Sequence, residues 1–257
     1  MNSIPGIWDV GPHVPIHVES SWQEFVREAD GSVVTDLVSG PRSFENADFL
    51  FPQHGVVAEL KEVETEFSRS PAIASGFDAL MGRAVAKDSE WRPPIFGGKY
   101  PDWFARDFVR LFRPPLSRIL KKANRQIRET KAHFGITSST GLLLLVNDGF
   151  TSLEPHFVRS LACGLLTTSY SSIDCLLYLT VNRYVEIAGS NTPILLVAPT
   201  YSDRVSDSFV EFVESLCLKR ADYLQSKIGP FTERGEIPSS ALHTGTRAIV
   251  LPGEQRG

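Results

Sequence analysis

The chain has 257 residues, of which 42% are hydrophobic and 22% charged, with a formal charge of −4. That length suits one elaborated domain, and the apolar content is ample for a core. The acidic balance excludes a protein that binds nucleic acid with its whole surface, so any such contact must fall to a local patch.

The three cysteines, Cys163, Cys175 and Cys217, are widely spaced in apolar surroundings. They match neither a zinc spacing nor a disulfide framework and read as buried thiols of a reducing compartment. Residues 1–5 lack the charged and apolar regions of a signal peptide. No apolar run nears the ~20 residues needed to span a bilayer. The expectation is a soluble, cytoplasmic protein with no membrane partner.

Residues 1–18 hold three prolines and read as an extended lead-in. Ser20 or Ser21 is placed to cap a short helix running to Ala29, with Trp22, Phe25, Val26 and Ala29 on its apolar face. Glu24 and Glu28 lie one turn apart on its polar side. Residues 32–38 then read as a strand, and 39–41 as a turn.

At 48–61 two apolar runs flank Pro52-Gln53-His54-Gly55, a turn signal between strands. With those four residues as the loop, Phe51 faces Val56 and Asp48 faces Glu59. Facing residues in an antiparallel pair have Cβ atoms roughly 4.5–5.5 Å apart. Lys61 falls on the same face as Glu59, because strand side chains alternate. The opposite face carries Ala47, Phe49, Phe51, Val56, Ala58 and Leu60, all apolar. His54 sits at the tip and reads as a turn residue.

Like charges opposite one another destabilise a sheet, so the two carboxylates call for a compensating cation. Lys61 supplies one charge. Mg²⁺ is held by one or two carboxylates with waters and substrate phosphates, which suits this pair. Leu50 and Val57 on the charged face mark an interior strand pair, where charges are rare unless functional.

Asp48 followed by Glu59-Leu60-Lys61 on an apolar strand resembles the catalytic signature of the PD-(D/E)XK phosphodiesterases, the restriction-endonuclease-like superfamily. Ala47 stands where the name has Pro, a variable position there. The resemblance implies a metal-dependent nuclease with Asp48 and Glu59 as ligands of Mg²⁺, for which Mn²⁺ would substitute, and with Lys61 as the catalytic lysine. It also implies nucleic acid as partner, DNA ahead of RNA, and a homodimer where both strands are cut. Helix, strand, then two motif strands is the superfamily's usual order. In many members the first helix adds a carboxylate, a role open to Glu24 or Glu28. The fold also hosts non-catalytic binding modules, which is the alternative function.

Residues 65–114 read as an insertion, with a helix over 70–86, a Pro/Gly-rich loop over 91–101 and a short aromatic-rich helix over 102–112. Gly97-Gly98-Lys99 lacks the spacing of a phosphate loop. Pro114-Pro115 is expected to open the strongest helix, running to about Phe134, with Leu116, Ile119, Leu120, Ala123, Ile127 and Thr130 on one face. Arg118, Lys121, Lys122, Arg125, Arg128 and Lys131 fill the rest. Of these, Lys121, Lys122, Arg125 and Arg128 are the candidate nucleic-acid contacts. The resemblance makes Gln126 a further candidate site residue. A variant of the superfamily has Gln-x-x-x-Tyr on this helix, and here Thr130 stands in place of its Tyr.

Residues 141–146 read as a buried strand ending in the turn residues Asn147 and Asp148. A helix over 155–168, strands over 175–181 and 193–198, and a helix over 207–227 follow. The last helix is expected to bury Phe209, Phe212, Val213, Leu216 and Leu218. In the remaining tail, 247–251 is a strand candidate. The expected fold is α/β: a mixed central sheet with helices on both faces, in one domain. Its core is 19–64 and 115–200, its insertion 65–114, and its C-terminal helix and tail 205–257.

Overall fold

The computed structural model describes residues 13–38, 44–63, 69–94, 97–149, 155–185 and 194–231. The first helix, α1 (Val18–Glu28), is capped by His17, whose ring accepts from the Ser20 N–H at 3.3 Å. Neither serine is therefore the cap, and the buried Ser21 hydroxyl instead donates to Val18 O at 2.8 Å. The expected strand over 32–38 is only β1 (Ser32–Val33), followed by a turn of helix, α2 (Val34–Leu37). The β-branched run gives way because Val34 N–H donates to Asp48 O at 2.9 Å and its side chain is fully buried.

The hairpin is β2 (Phe49–Phe51), a 3₁₀ turn (Pro52–His54) and β3 (Val56–Val63). Gly55 closes the turn at φ +59°, a left-handed conformation that favours glycine. Phe51 pairs with Val56, Leu50 with Val57 and Phe49 with Ala58. That is the register expected from the four-residue loop. His54 stacks on Phe212, with ring centroids 4.3 Å apart.

Next come α3 (Pro71–Lys87) and α4 (Asp102–His133). Two helices were expected across 102–134, separated at Pro114-Pro115, but α4 is one unbroken helix with both prolines inside it. The proline pair lies where the helix is exposed or half-buried, so water can satisfy carbonyls left without a donor. The boundary drawn there between insertion and core thus falls within a single element.

The chain continues through β4 (Thr140–Asn147), α5 (Pro155–Ser169), β5 (Cys175–Leu179), β6 (Val197–Tyr201) and α6 (Asp207–Ile228). The strands form a six-stranded sheet in sequence order, β1 to β6. Pairing is antiparallel at β1/β2, β2/β3 and β5/β6, and parallel at β3/β4 and β4/β5. The fold is α/β with an open mixed sheet. β6 lies further along than expected, and Ile194 makes only an isolated bridge to Val185. Pro199 sits inside β6, which is tolerable because β6 is an edge strand.

Side-chain alternation splits the core in two. Phe49, Phe51, Ala58, Leu60, Leu142 and Leu144 pack beneath α1 and α6. Leu50, Val57, Leu143, Leu145 and Tyr178 pack beneath α4 and α5. Ala47, expected with the first set, belongs to the second, because the chain leaves the strand ladder just before Phe49. Leu218 is 61% exposed and off the α6 stripe, which runs through Phe209, Phe212, Val213, Leu216, Arg220, Tyr223 and Leu224.

The cysteines are free, with Cys175 buried and Cys163 and Cys217 half-buried. Burial pushes the Cys217 thiol up to about 12. No helix among the described residues is long and apolar enough to cross a membrane. The lead-in over 1–12, the turn at 39–41 and the strand candidate at 247–251 lie outside the described residues.

Candidate metal centre

β3 sits between β2 and β4, so its side chains have a packed layer on each face. Glu59 points to the α4 side and is fully buried. Lys61, two residues on, reaches back to form an ion pair with Glu59, and its side chain is 17% exposed. Asp48 lies one residue beyond the last paired position of β2. Its Oδ2 accepts the Leu60 N–H at 2.8 Å, which holds its carboxyl against β3. The three charged residues predicted from the hairpin register are thus brought together.

Burial, the largest cause, and then the Asp48 charge hold the Glu59 carboxyl well above the usual carboxylate range, against the opposing pull of Lys61. Asp48 is also raised, chiefly by burial, while the Leu60 N–H and Lys61 work the other way. The two carboxyls interact at hydrogen-bond range, with Glu59 the better proton holder of the pair. Glu59 Oε2 is buried and meets no hydrogen-bond donor among the described residues. A buried oxygen beside a second carboxyl, with no donor, is satisfied by a shared proton or by a cation. At higher pH the cation is the better fit. Among the described residues no cluster of three or more His, Cys, Asp or Glu side chains forms a larger cage. Two carboxylates suit an ion that keeps its waters and takes substrate oxygens, as Mg²⁺ does.

Neither first-helix candidate joins the pair. Glu24 accepts from Tyr223 Oη at 2.7 Å and Lys227 Nζ at 2.6 Å, and so faces α6. Glu28 is exposed and makes no contact with the pair among the described residues. Among the influences on Asp48 the Glu19 charge of α1 is a minor one and raises it, well behind burial. Glu19 lies in the first helical turn, and Gln23 donates to it at 3.3 Å.

Gln126 does not reach the carboxyls. Its Nε2 donates to Asn46 O at 2.9 Å, and its Oε1 is buried without a partner. Thr130, one turn on, accepts the Ala47 N–H at 2.7 Å, and Glu129 accepts the Glu45 N–H at 2.9 Å. Arg125 pairs with the Glu45 side chain. These contacts clip residues 45–47 to α4 and so aim Asp48. Gln126 and Thr130 are positioning residues.

Lys121, Lys122, Arg125 and Arg128 are all exposed on α4 and line a shallow groove with Arg118, Asn124 and Tyr170. This face points away from the sheet, and only Arg125 touches the segment leading to Asp48. Asn147 donates to Tyr178 Oη at 2.8 Å. Asp148 accepts from Val181 N–H at 2.8 Å and Asn182 N–H at 2.9 Å, tying the end of β4 to the end of β5. Asn147, read as a turn residue, is instead a buried residue of β4, and the contacts of Asp148 are long-range rather than local. Comparison with protein-family models, curated proteins and solved structures finds no match.

Proposed function

We propose that the protein is a metal-dependent nuclease that hydrolyses phosphodiester bonds, with DNA preferred over RNA. The observation carrying this reading is the fully buried Glu59 beside half-buried Asp48, with Lys61 against it and one Glu59 oxygen lacking any donor among the described residues. The element order supports a restriction-endonuclease-like core, since a helix precedes the motif hairpin and a long helix and parallel strand follow it.

Asp48 and Glu59 would hold the ion, Mg²⁺ or Mn²⁺, which supplies activation of water and neutralisation of phosphoryl charge. Lys61, the most exposed member of the ion pair, is placed to meet the phosphate oxygens and stabilise developing charge. The exposed cations of α4 supply attraction for the backbone. Because α4 is unbroken, its basic residues run from Arg106 to Arg128, about 33 Å at 1.5 Å per residue. That span covers several nucleotides.

A second reading, a non-catalytic nucleic-acid- or protein-binding module, draws support from the complete burial of Glu59. One experiment separates the two: a calorimetric Mn²⁺ titration of wild type and Glu59→Ala, with cleavage of mixed DNA and RNA followed in parallel. The nuclease reading expects saturable binding and metal-dependent cleavage, both lost in the variant. Nucleic-acid binding without metal binding or cleavage would leave the module as the account.

A further inference from the structure

At the C-terminal end of α4, the helix meets the loop before β5 over a polar hollow of about 250 Å³. Lys131, Arg204, Ser139, Thr140, Ser171 and Asp174 are among its lining residues. Lys131 is only 8% exposed. Its ammonium carries three donors, yet its contacts are long: 3.4 Å to Ser172 O and 3.7 Å to Asp174 Oδ2. Charge-assisted bonds of this kind are normally about 2.7–2.9 Å.

Asp174 is already engaged elsewhere. Its Oδ2 accepts the Gly141 N–H at 2.8 Å, and its Oδ1 accepts from Arg204 at 2.9 Å. Gly141 allows this approach, because a Cβ there would lie 1.8 Å from Ser172 O. Two cations therefore face one carboxylate, leaving a surplus positive charge. The Ser139, Thr140 and Ser171 hydroxyls meet no protein partner among the described residues.

The helix end does not cancel this charge. Phe134, Gly135 and Ile136 N–H groups donate to the carbonyls of Thr130, Ala132 and Lys131, with Gly135 at φ +67°. The last-turn carbonyls that would repel an anion are thus covered. Surplus charge, free hydroxyls and an under-bonded buried ammonium converge on one volume.

We propose that this hollow is a phosphoryl-group subsite in which Lys131 and Arg204 provide the charge and the surrounding hydroxyls the hydrogen bonds. It adjoins the basic groove of α4, since Arg128 and Tyr170 line the groove while Lys131 and Ser171 line the hollow. A strand lying along the groove would deliver a phosphate here, and free inorganic phosphate offers the same chemistry. The subsite does not rest on the metal centre.

The test is calorimetric titration of inorganic phosphate into the metal-free full chain, its Lys131→Met and Arg204→Gln variants, and Glu59→Gln as a control. Wild type and Glu59→Gln should bind equally, and both subsite variants should bind about tenfold more weakly or worse, one lost charged hydrogen bond being worth that much. Circular dichroism melting reports whether Lys131→Met folds. Should it not, the exposed Arg204→Gln decides. No saturable phosphate binding in the wild type, or binding unchanged by Arg204→Gln or by folded Lys131→Met, overturns the proposal. Competition by oligonucleotides with a 5′-phosphate or a 5′-hydroxyl assigns the source. Displacement by the phosphorylated strand alone supports capture of a strand end. Displacement by both supports a backbone phosphate, and displacement by neither supports free phosphate.

Discussion

At the residue scale the decisive feature is the competition at Glu59. Desolvation and the Asp48 charge raise its pKa, the Lys61 ammonium lowers it, and the net shift is upward. The folded chain therefore holds this proton more tightly than the unfolded chain does. The sign follows from linkage: below the unfolded pKa the group has no effect, and the ionised carboxyl costs stability increasingly as pH rises toward the folded value. Glu59→Gln removes that titration while keeping the shape. The variant should be more stable than wild type by about 1–2 kcal/mol at pH 8, with the gap closing toward pH 4, as read from urea unfolding at several pH values. Mg²⁺ should raise the wild-type melting temperature more at pH 8 than at pH 5, because binding needs both carboxyls deprotonated. It should leave the variant unmoved. Equal pH profiles for the two proteins would remove the case for a strained carboxyl pair. The three charged residues were legible in the sequence because a four-residue loop sets the register locally. The place of Glu19 was not, because it depends on how the whole of α1 docks.

At the scale of elements, α4 both covers the metal centre and aims it. The clip made by Gln126, Glu129 and Thr130 holds residues 45–47 where no strand pairing does. Thr130 is fully buried, so its hydroxyl is the acceptor for a backbone N–H that water does not reach. Thr130→Val keeps the volume and orphans the Ala47 N–H, at an expected loss of about 1–3 kcal/mol of stability. Asp48 lies next in the chain, so Mn²⁺ affinity should fall as well. Thr130→Ser restores the acceptor and should recover both quantities. A Ser variant as weak in metal binding as the Val variant would show that α4 does not position Asp48. The helical periodicity of α4 was readable, and it placed Thr130 on the buried face. What was lost was continuity across Pro114-Pro115. A proline pair is a strong local stop signal, and it is overridden because the residues on either side, Phe112 and Leu116, are anchored in the same core.

At the scale of the whole molecule, the seating of α1 rests on a contact between the two ends of the described chain. Arg220 on α6 is 5% exposed and donates to Ser21 O and Ser21 Oγ on α1, each at 2.9 Å. Its guanidinium lies 4.4 Å from the Trp22 ring centre and 4.8 Å from that of Tyr223. Burial lowers it to about 10, which leaves it charged at neutral pH. The partners are 199 residues apart, so neither periodicity nor spacing revealed them, and the α6 stripe was drawn through Leu218 instead. The same separation explains why the alternating faces of the hairpin were legible while the docking of α1 was not. Arg220 ties α6 to the first turn of α1, the turn that also carries Glu19. Arg220→Ala should destabilise the fold by about 2–4 kcal/mol, through lost charged hydrogen bonds and cation–π contact, as read from urea unfolding. Arg220→Met fills the slot without a charge and should recover much of that loss, because a well-packed apolar side chain replaces a buried ion at little penalty. With the fold restored but Ser21 no longer held, the Met variant should still bind Mn²⁺ at the Asp48–Glu59 pair with altered affinity. Wild-type affinity in the Met variant would mean that the metal centre is built by the hairpin and α4 alone, independent of how α1 is seated.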